Sequence, residues 1–379
     1  MFLQKGVGTV DFRRILSELD WILIGAVVLL MLCGLGLIDS ATHSFAVSSG
    51  GKAWHVQRQS LFMALGCLMV GVSLCFDYRA LKKYEWWFYG FNLLMLVAVM
   101  VVGKSALGAQ RWISIGGFTV QPSEFSKVLL IFCLAAFIER RVEMLDEFKD
   151  YLPIFFYIFI PWVLVMKQPD LGTSLTFIAI LIGMVFVCGF KYRWQAELLA
   201  AFAVLAYPIY KWVLKDYQRD RLRVFANPEL DPFQRGYHVI QSKIAIGSGG
   251  LLGKGWLEGT QSQLNFLPEN HTDFIFAVVG EEFGFVGTSF IIILYGIIIW
   301  RGILIAMEAE ETFGTLLAVG VVSMFMFHIL VNIGMTAGIM PVTGVPLPFL
   351  SYGVSSLTTN LMLIAILLNV KLRHAKLKF

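Results

Sequence analysis

Charge is scarce in this sequence. Only 15% of its 379 residues are Asp, Glu, Lys or Arg, against 58% hydrophobic residues, and the mean hydropathy is +0.73. A soluble domain of this size cannot hide so much apolar surface, so a soluble globular fold is excluded. Cysteine is scarce too. Cys33, Cys67, Cys75, Cys133 and Cys188 fall inside apolar runs with no metal-type spacing. That pattern excludes a disulfide framework and a zinc site, and leaves them as small buried hydrophobes. The six histidines form no HExxH pair, so no transition-metal site is expected. No Walker loop is present either, because "GSGGLLGKGW" has no Ser or Thr after its Gly-Lys.

Long apolar runs are abundant. They lie near 21–38, 61–76, 86–102, 125–138, 152–166, 175–190, 196–214, 274–300, 313–334 and 357–370, each about as long as a bilayer core requires. The expected fold is therefore an all-α polytopic membrane protein of about ten transmembrane helices. It is one domain over 1–379, with one large extracytoplasmic loop, 215–272, between helices 7 and 8. Arg13 and Arg14 precede the first run, and no small-residue cleavage site follows it, so that run is expected to be a retained helix.

The basic residues set the orientation. Sixteen lie at the two ends and in every second loop: Lys5, Arg13, Arg14, Arg79, Lys82, Lys83, Arg140, Arg141, Lys149, Lys191, Arg193, Arg301, Lys371, Arg373, Lys376 and Lys378. The opposite short loops hold five: Lys52, Arg58, Lys104, Arg111 and Lys167. By the positive-inside rule both termini are expected in the cytoplasm. The +4 net charge is thus a matter of orientation, and no nucleic-acid partner is expected.

On that orientation the Gly- and Pro-rich stretches all face outward: "GAQRWISIGGFTVQPSEFSK", "KQPDLGTSL", "GYHVIQSKIAIGSGGLLGKG", "QLNFLPENHTDF" and "GIMPVTGVPLPFLSYGVSS". Broken backbone at membrane depth is tolerated where it lines a polar cavity or packs in protein. Five such loops on one side point to a cavity open to the outer leaflet, against ordinary surface turns.

The stretch "PENHTDFIFAVVGEE" carries five ionisable side chains into an apolar run. Asp273 stands at the expected start of helix 8. There the helix dipole favours its anion and burial disfavours it, a balance suited to taking a proton from a hydroxyl, although a plain N-cap by Thr272 or Asp273 explains it equally. Glu281 and Glu282 lie two turns on, at helical spacing from Asp273. Intramembrane acids of this kind bind a cation, relay protons or form a structural ion pair. Glu124 and Lys127, three apart after "QPS", share one helix face. Asp170 repeats that acidic helix start. Arg111 beside Trp112 suits a phosphate held at the interface, or an anchor to ordinary lipid. Arg219, Arg221, Arg223, Arg235, Lys243 and Lys254 could bind pyrophosphate or form a solvated surface.

No nucleoside triphosphate is available outside the membrane, so an enzyme there needs a substrate that arrives activated. A sugar on a polyprenyl pyrophosphate meets that need. Its transfer requires a base for the acceptor hydroxyl and cations for the departing pyrophosphate.

The segments "RWISIGGFTVQPSEFSK", "QPDLGTS", "GLLGKGWLEGTQSQLNFLPENHTDFIFAVVGEEFGFVG" and "MPVTGVPLPFLSYGVSSL" resemble the landmarks of the SEDS family (shape, elongation, division and sporulation) in family order, over essentially the whole chain. The "GTQSQLNFLPENHTDFIFA" wording and the short tail before the first run resemble its rod-shape branch more than its division branch. The resemblance implies a ten-helix peptidoglycan glycosyltransferase that polymerises lipid II on the outer face of the bacterial cytoplasmic membrane during elongation. It implies a class B penicillin-binding protein as partner, other elongation-complex proteins, and a divalent cation, Mg or Mn, with no ligands identified. It gives Asp273 the catalytic role. The expected substrate-contacting set is Arg111, Glu124, Lys127, Asp170, His271 and Glu281. The alternatives are a lipid II flippase using Glu281, Glu282 and Asp170 as an intramembrane route, and a non-catalytic scaffold.

Overall fold

The structure, a computed structural model, describes residues 17–48, 54–106, 109–115, 118–214, 216–231, 235–264 and 266–374. Of the residues used to set orientation, Lys5, Arg13, Arg14, Lys52, Lys376 and Lys378 lie outside the described residues. Among the described residues, twelve helices are longer than one turn: α1 Trp21–Ser48, α2 Trp54–Ser73, α3 Glu85–Val102, α4 Pro122–Glu139, α5 Leu152–Lys167, α6 Leu171–Val187, α7 Tyr192–Pro208, α8 Asp216–Ala226, α9 Arg235–Gly249, α10 Ile275–Glu308, α11 Thr312–Thr336 and α12 Val354–His374. Each expected apolar run overlaps one of α1–α7 or α10–α12. Among the described residues, six spans are long and apolar enough to cross a membrane: Trp21–Ser44, Tyr78–Val102, Phe148–Lys167, Ile275–Glu308, Thr312–Thr336 and Val354–Arg373.

Helix starts follow local sequence. Pro122 occupies the first turn of α4, where a missing N–H costs nothing. Asp170 caps α6 by accepting from Thr173 N at 3.1 Å. Between α3 and α4 the chain adds a small antiparallel sheet that hydropathy alone does not reveal. It is ordered β1 Lys104–Ala106, β2 Ala109–Ile115 and β3 Phe118–Val120, with Ile113 opposite Val120. Its β-branched and aromatic residues, Trp112, Ile113, Ile115, Phe118 and Val120, suit a pleated strand.

α11 lies inside the bundle, packed on α10, α6 and α4, while α12 packs on α2 and α4. The buried core joins Leu130, Ile131 and Leu134 of α4, Phe177 and Ile180 of α6, and Leu317, Val321 and Phe325 of α11. Large apolar side chains on the outer helices, among them Leu199, Phe202 and Val204 of α7, remain exposed. That outward apolar surface suits lipid.

α10 is broken at Gly284, whose φ of 61° and ψ of −153° belong to a region that only glycine enters without large strain. The loop after α9 fills the break. Phe285 N and Val286 N donate to the carbonyls of Gly250 and Leu251 at 2.9 and 3.1 Å. In return Lys254 N and Gly255 N donate to the carbonyls of Glu281 and Glu282, each at 3.0 Å. Backbone groups freed by the kink are thus satisfied by protein, as membrane depth demands. Within the span 215–272 the described residues carry α8, α9 and the turn Thr260–Gln263.

Candidate active site

A cavity of about 450 Å³ opens where α4, α6, α8, α11, α12 and β2 converge with the segments around Asp273 and Thr343. Arg111, Glu124, Lys127, Asp170 and Asp273 all line it. Five of the seven residues expected to act on or contact substrate thus line one cavity, although they span more than 160 positions of the chain.

The cavity has a rim and a floor. At the rim, the Asp170 carboxylate accepts from Thr173 Oγ1 at 2.9 Å, Ser123 Oγ at 3.1 Å and Gln121 Nε2 at 3.3 Å, besides its capping bond. Arg111 reaches Asp170 Oδ1 at 3.9 Å, and donates from Nε to the Gln168 carbonyl at 3.1 Å and from Nη2 to the Pro169 carbonyl. Its guanidinium is therefore held in place at the cavity lining. Across the rim, Arg221 of α8 donates to the carbonyls of Val342 and Thr343 at 3.0 and 3.2 Å.

The floor is made by residues that enter from three helices. Lys127 and Thr176 each lie five residues into their helices, roughly 8 Å below the rim by helix rise. Lys127 Nζ donates to Glu124 Oε1 at 2.6 Å, and both side chains are almost fully buried. Glu124 Oε2 is buried without a partner. A buried ion pair with an unused acceptor is costly for stability alone, which favours a role in holding substrate. His328 of α11 completes the floor, with Nε2 3.3 Å from Thr176 Oγ1.

Asp273 precedes α10, and so lies outside the helix. It keeps intermediate exposure at the cavity wall. Among the described residues, no hydrogen bond to its carboxylate forms. Loss of hydration pushes its pKa up from 3.8 to about 6, and Glu269 pushes the same way; Arg221 and Arg111 oppose it. Because the side chain stays partly exposed, this is the dehydration of a cavity wall and not of a sealed core. The result is a carboxylate that is ionised at neutral pH and more basic than usual, with its lone pairs uncommitted. Gly344, at φ +74°, lets the main chain pass close by: a Cβ there would sit 3.3 Å from Asp273 Oδ2.

His271 and Glu281 are not brought to the cavity. His271 packs its ring 5.2 Å from His55 and 5.7 Å from Tyr352, beside the rim. Burial, then His55, holds its pKa below the ordinary value, with Glu269 opposing. Glu281 faces the loop after α9. Its carboxylate accepts from Lys254 Nζ at 2.7 Å, Gln261 N at 2.9 Å, Thr260 Oγ1 and Ser262 N at 3.2 Å, and Ser262 Oγ at 3.4 Å. Glu282 accepts from Ser40 Oγ of α1. Helical spacing from Asp273 does not apply, because Asp273 stands before the first helical residue, Ile275. Glu281 thus anchors the loop after α9, and the Glu282 side chain ties α10 to α1.

Hydropathy and motif reading passed over other lining residues. Arg58 of α2 stacks on Trp54 at 3.8 Å, and Tyr352, Gln121 and Thr343 join the wall. His328 had no local signal, being a lone histidine inside an apolar run. Among the described residues no group of three or more His, Cys, Asp and Glu gathers to hold a metal ion. Asp170 is occupied by donors and Glu124 Oε1 by Lys127, whereas Glu124 Oε2, buried in the floor, and the Asp273 carboxylate keep open lone pairs, and Glu269 at the rim accepts from Thr272 Oγ1. Without such a group there is no protein cage for Mg or Mn among the described residues.

The model of the FtsW, RodA and SpoVE family, described as cell cycle proteins, matches residues 20–376. The chain belongs to this family. Peptidoglycan glycosyltransferase MrdB of Escherichia coli (strain K12) is 42% identical over 310 residues, covering 82% of this chain and 84% of that one. A solved chain described under "structural coordination of polymerization and crosslinking by a peptidoglycan synthase complex" superposes with a TM-score of 0.82 at 30% identity, over 94% of this chain and 99% of that one. Thermus thermophilus rod shape determining protein RodA superposes with a TM-score of 0.69 at 29% identity, over 93% and 96%. Family membership and the multi-pass membrane fold agree with what the four landmark segments suggest.

Proposed function

We propose that this chain is a peptidoglycan glycosyltransferase that polymerises lipid II, and that the cavity below Asp273 is its active site. The observation that carries the reading is the meeting of Arg111, Lys127 and an uncommitted, basic Asp273 in one cavity, in a chain 42% identical to a named peptidoglycan glycosyltransferase.

Asp273 takes the proton from the 4-hydroxyl of the incoming lipid II sugar. The freed oxygen pair attacks the anomeric carbon of the lipid-linked glycan, a new C–O bond forms, and the bond to pyrophosphate breaks. Polyprenyl pyrophosphate leaves with the bonding pair, its charge met by Arg111, Arg221 and Lys127. Glu124 orients Lys127, and Asp170 holds Arg111 and the start of α6. A divalent cation finds too few protein ligands here, so no step is routed through one.

The setting is the bacterial cytoplasmic membrane. Ten helices, α1–α7 and α10–α12, span it with both termini in the cytoplasm, and 215–272 lies outside with the cavity mouth. A class B penicillin-binding protein is the partner; the superposed chain from a complex that polymerises and crosslinks supports that reading.

The test is purified full chain with that partner and lipid II, without a membrane gradient, assayed for glycan strands. Wild type makes polymer and Asp273→Asn does not. Movement of lipid II between leaflets with no polymer would replace this reading with a flippase; neither activity would leave a scaffold.

A further inference from the structure

Among the described residues the carboxylate of Asp273 has no hydrogen-bonding partner to aim it, so its direction comes from its main chain. That main chain is held at three consecutive carbonyls. His271 O accepts from Tyr352 N at 2.9 Å, Thr272 O from Ser351 Oγ at 2.6 Å, and Asp273 O from Asn332 Nδ2 at 3.0 Å. We propose that Asn332 and Ser351 are positioning residues for glycosyl transfer, which fix the Asp273 carboxylate at the cavity wall by gripping the carbonyls of its own segment. This rests on the reading of Asp273 as the base.

Neither side chain is available to substrate. Asn332 is fully buried on α11, and its second amide hydrogen goes to Val345 O at 2.8 Å, so both donors are committed. Two carbonyl acceptors also fix which way the amide faces. Ser351 is 4% exposed; its one hydrogen goes to Thr272, and its oxygen accepts from Leu347 N at 2.9 Å. Each residue therefore ties two pieces of main chain together: the Asp273 segment, and the 345–352 segment that packs beside it. Gly344, whose main chain approaches Asp273 Oδ2, begins that second segment. The two ties set the gap between carboxylate and cavity wall.

The charged groups that act on Asp273 in this placement are Glu269 of its own loop, Arg221 of α8 and Arg111 of β2, with His271 two residues before it. A segment released from its ties lets the carboxylate swing toward water and away from the acceptor hydroxyl. Displacement on the order of 1 Å costs up to roughly a hundredfold in rate, while substrate binding by the arginines is untouched.

The experiment compares wild type, Ser351→Ala, Ser351→Thr and Asn332→Leu as full chains with the crosslinking partner. Lipid II polymerisation gives kcat and KM. Labelling of Asp273 by a water-soluble carbodiimide, followed by mass spectrometry across pH, reads the carboxyl group without turnover. Ser351→Ala is expected to lower kcat by about tenfold or more with KM within about twofold, and to move the labelling midpoint down toward an ordinary carboxylate. Ser351→Thr, which keeps the hydroxyl, restores both. Asn332→Leu acts in the same direction; if it does not fold, Ser351→Ala carries the test. A folded Ser351→Ala with wild-type kcat and labelling overturns the proposal. So does a loss of kcat with an unchanged midpoint and no rescue by threonine, which marks Ser351 as structural only. Polymerisation by Asp273→Asn would instead remove the base reading and leave the labelling shift intact.

Discussion

Asp273 and Glu281 lie eight residues apart in one stretch of sequence, and the structure sets them in opposite circumstances. Asp273 faces a cavity, partly exposed, with no described donor on its carboxylate. Glu281 is fully buried, and five donors from Lys254, Thr260, Gln261 and Ser262 converge on it. A carboxylate whose lone pairs are all used can organise protein but cannot take a proton in a reaction. On the proposed function, a carboxylate therefore does chemistry at one position and holds structure at the other, and the difference lies in the hydrogen-bond count.

The comparison breaks most readily by removing the two charges. Asp273→Asn is expected to lower lipid II polymerisation by about a hundredfold or more, in a protein that reaches the membrane in normal amount. Glu281→Gln, assayed per folded molecule, should keep polymerisation within severalfold of wild type. A similar loss of kcat in both, at equal folding, would erase the distinction.

Next in size is the kink. Gly284→Ala forces a side chain into a glycine-only conformation, with its Cβ 2.4 Å from Gly253 N, at a cost of about 3 kcal/mol or more. Loss of folded protein in detergent melts and membrane yield is expected. Wild-type melting would mean that the loop after α9 is not clipped into the break.

Glu281→Ala should cost about 3 kcal/mol, because it leaves the Gln261 and Ser262 amides and the Lys254 ammonium without their acceptor. Glu281→Gln, which keeps an oxygen, should cost less. Equal melting of the two variants would contradict the anchor role.

The smallest effect has the opposite sign. The folded state raises the Asp273 carboxyl from 3.8 to about 6, so it binds that proton more tightly than the unfolded chain does. Stability is then lost as pH rises from about 4 to 6 and stays lost above. Asp273→Asn escapes that loss. It should melt slightly higher than wild type at pH 8, with the gap closing below pH 4. A variant less stable than wild type at pH 8 would make Asp273 a structural cap.

Much of this was legible in the sequence, and for identifiable reasons. The helices follow from apolar runs, because hydropathy reports burial in lipid directly. Asp170 and Pro122 mark their helix starts by local chemistry alone. The loops crowded on one face point to a cavity, and the acidic helix starts Glu124 and Asp170 with Lys127 and Asp273 suggest a polar cluster in it; Arg111, which reads equally as a lipid anchor, joins them only in the fold. The break at Gly284 was not visible, since it lies inside an apolar run and hydropathy is blind to φ. For the same reason Glu281 was assigned to the side of Asp273: the spacing rule was carried back past the point where the helix begins. His328, Asn332 and Ser351 gave no signal, because their partners lie on other segments and only the fold brings them together.

The dependence of lipid II polymerisation on pH tests most directly whether Asp273 is a partly dehydrated base. A base must be ionised to act, so kcat/KM for the wild type should climb with pH through a midpoint near 6. A climb centred near 4, where an ordinary carboxylate titrates, would contradict a dehydrated Asp273 at the cavity wall.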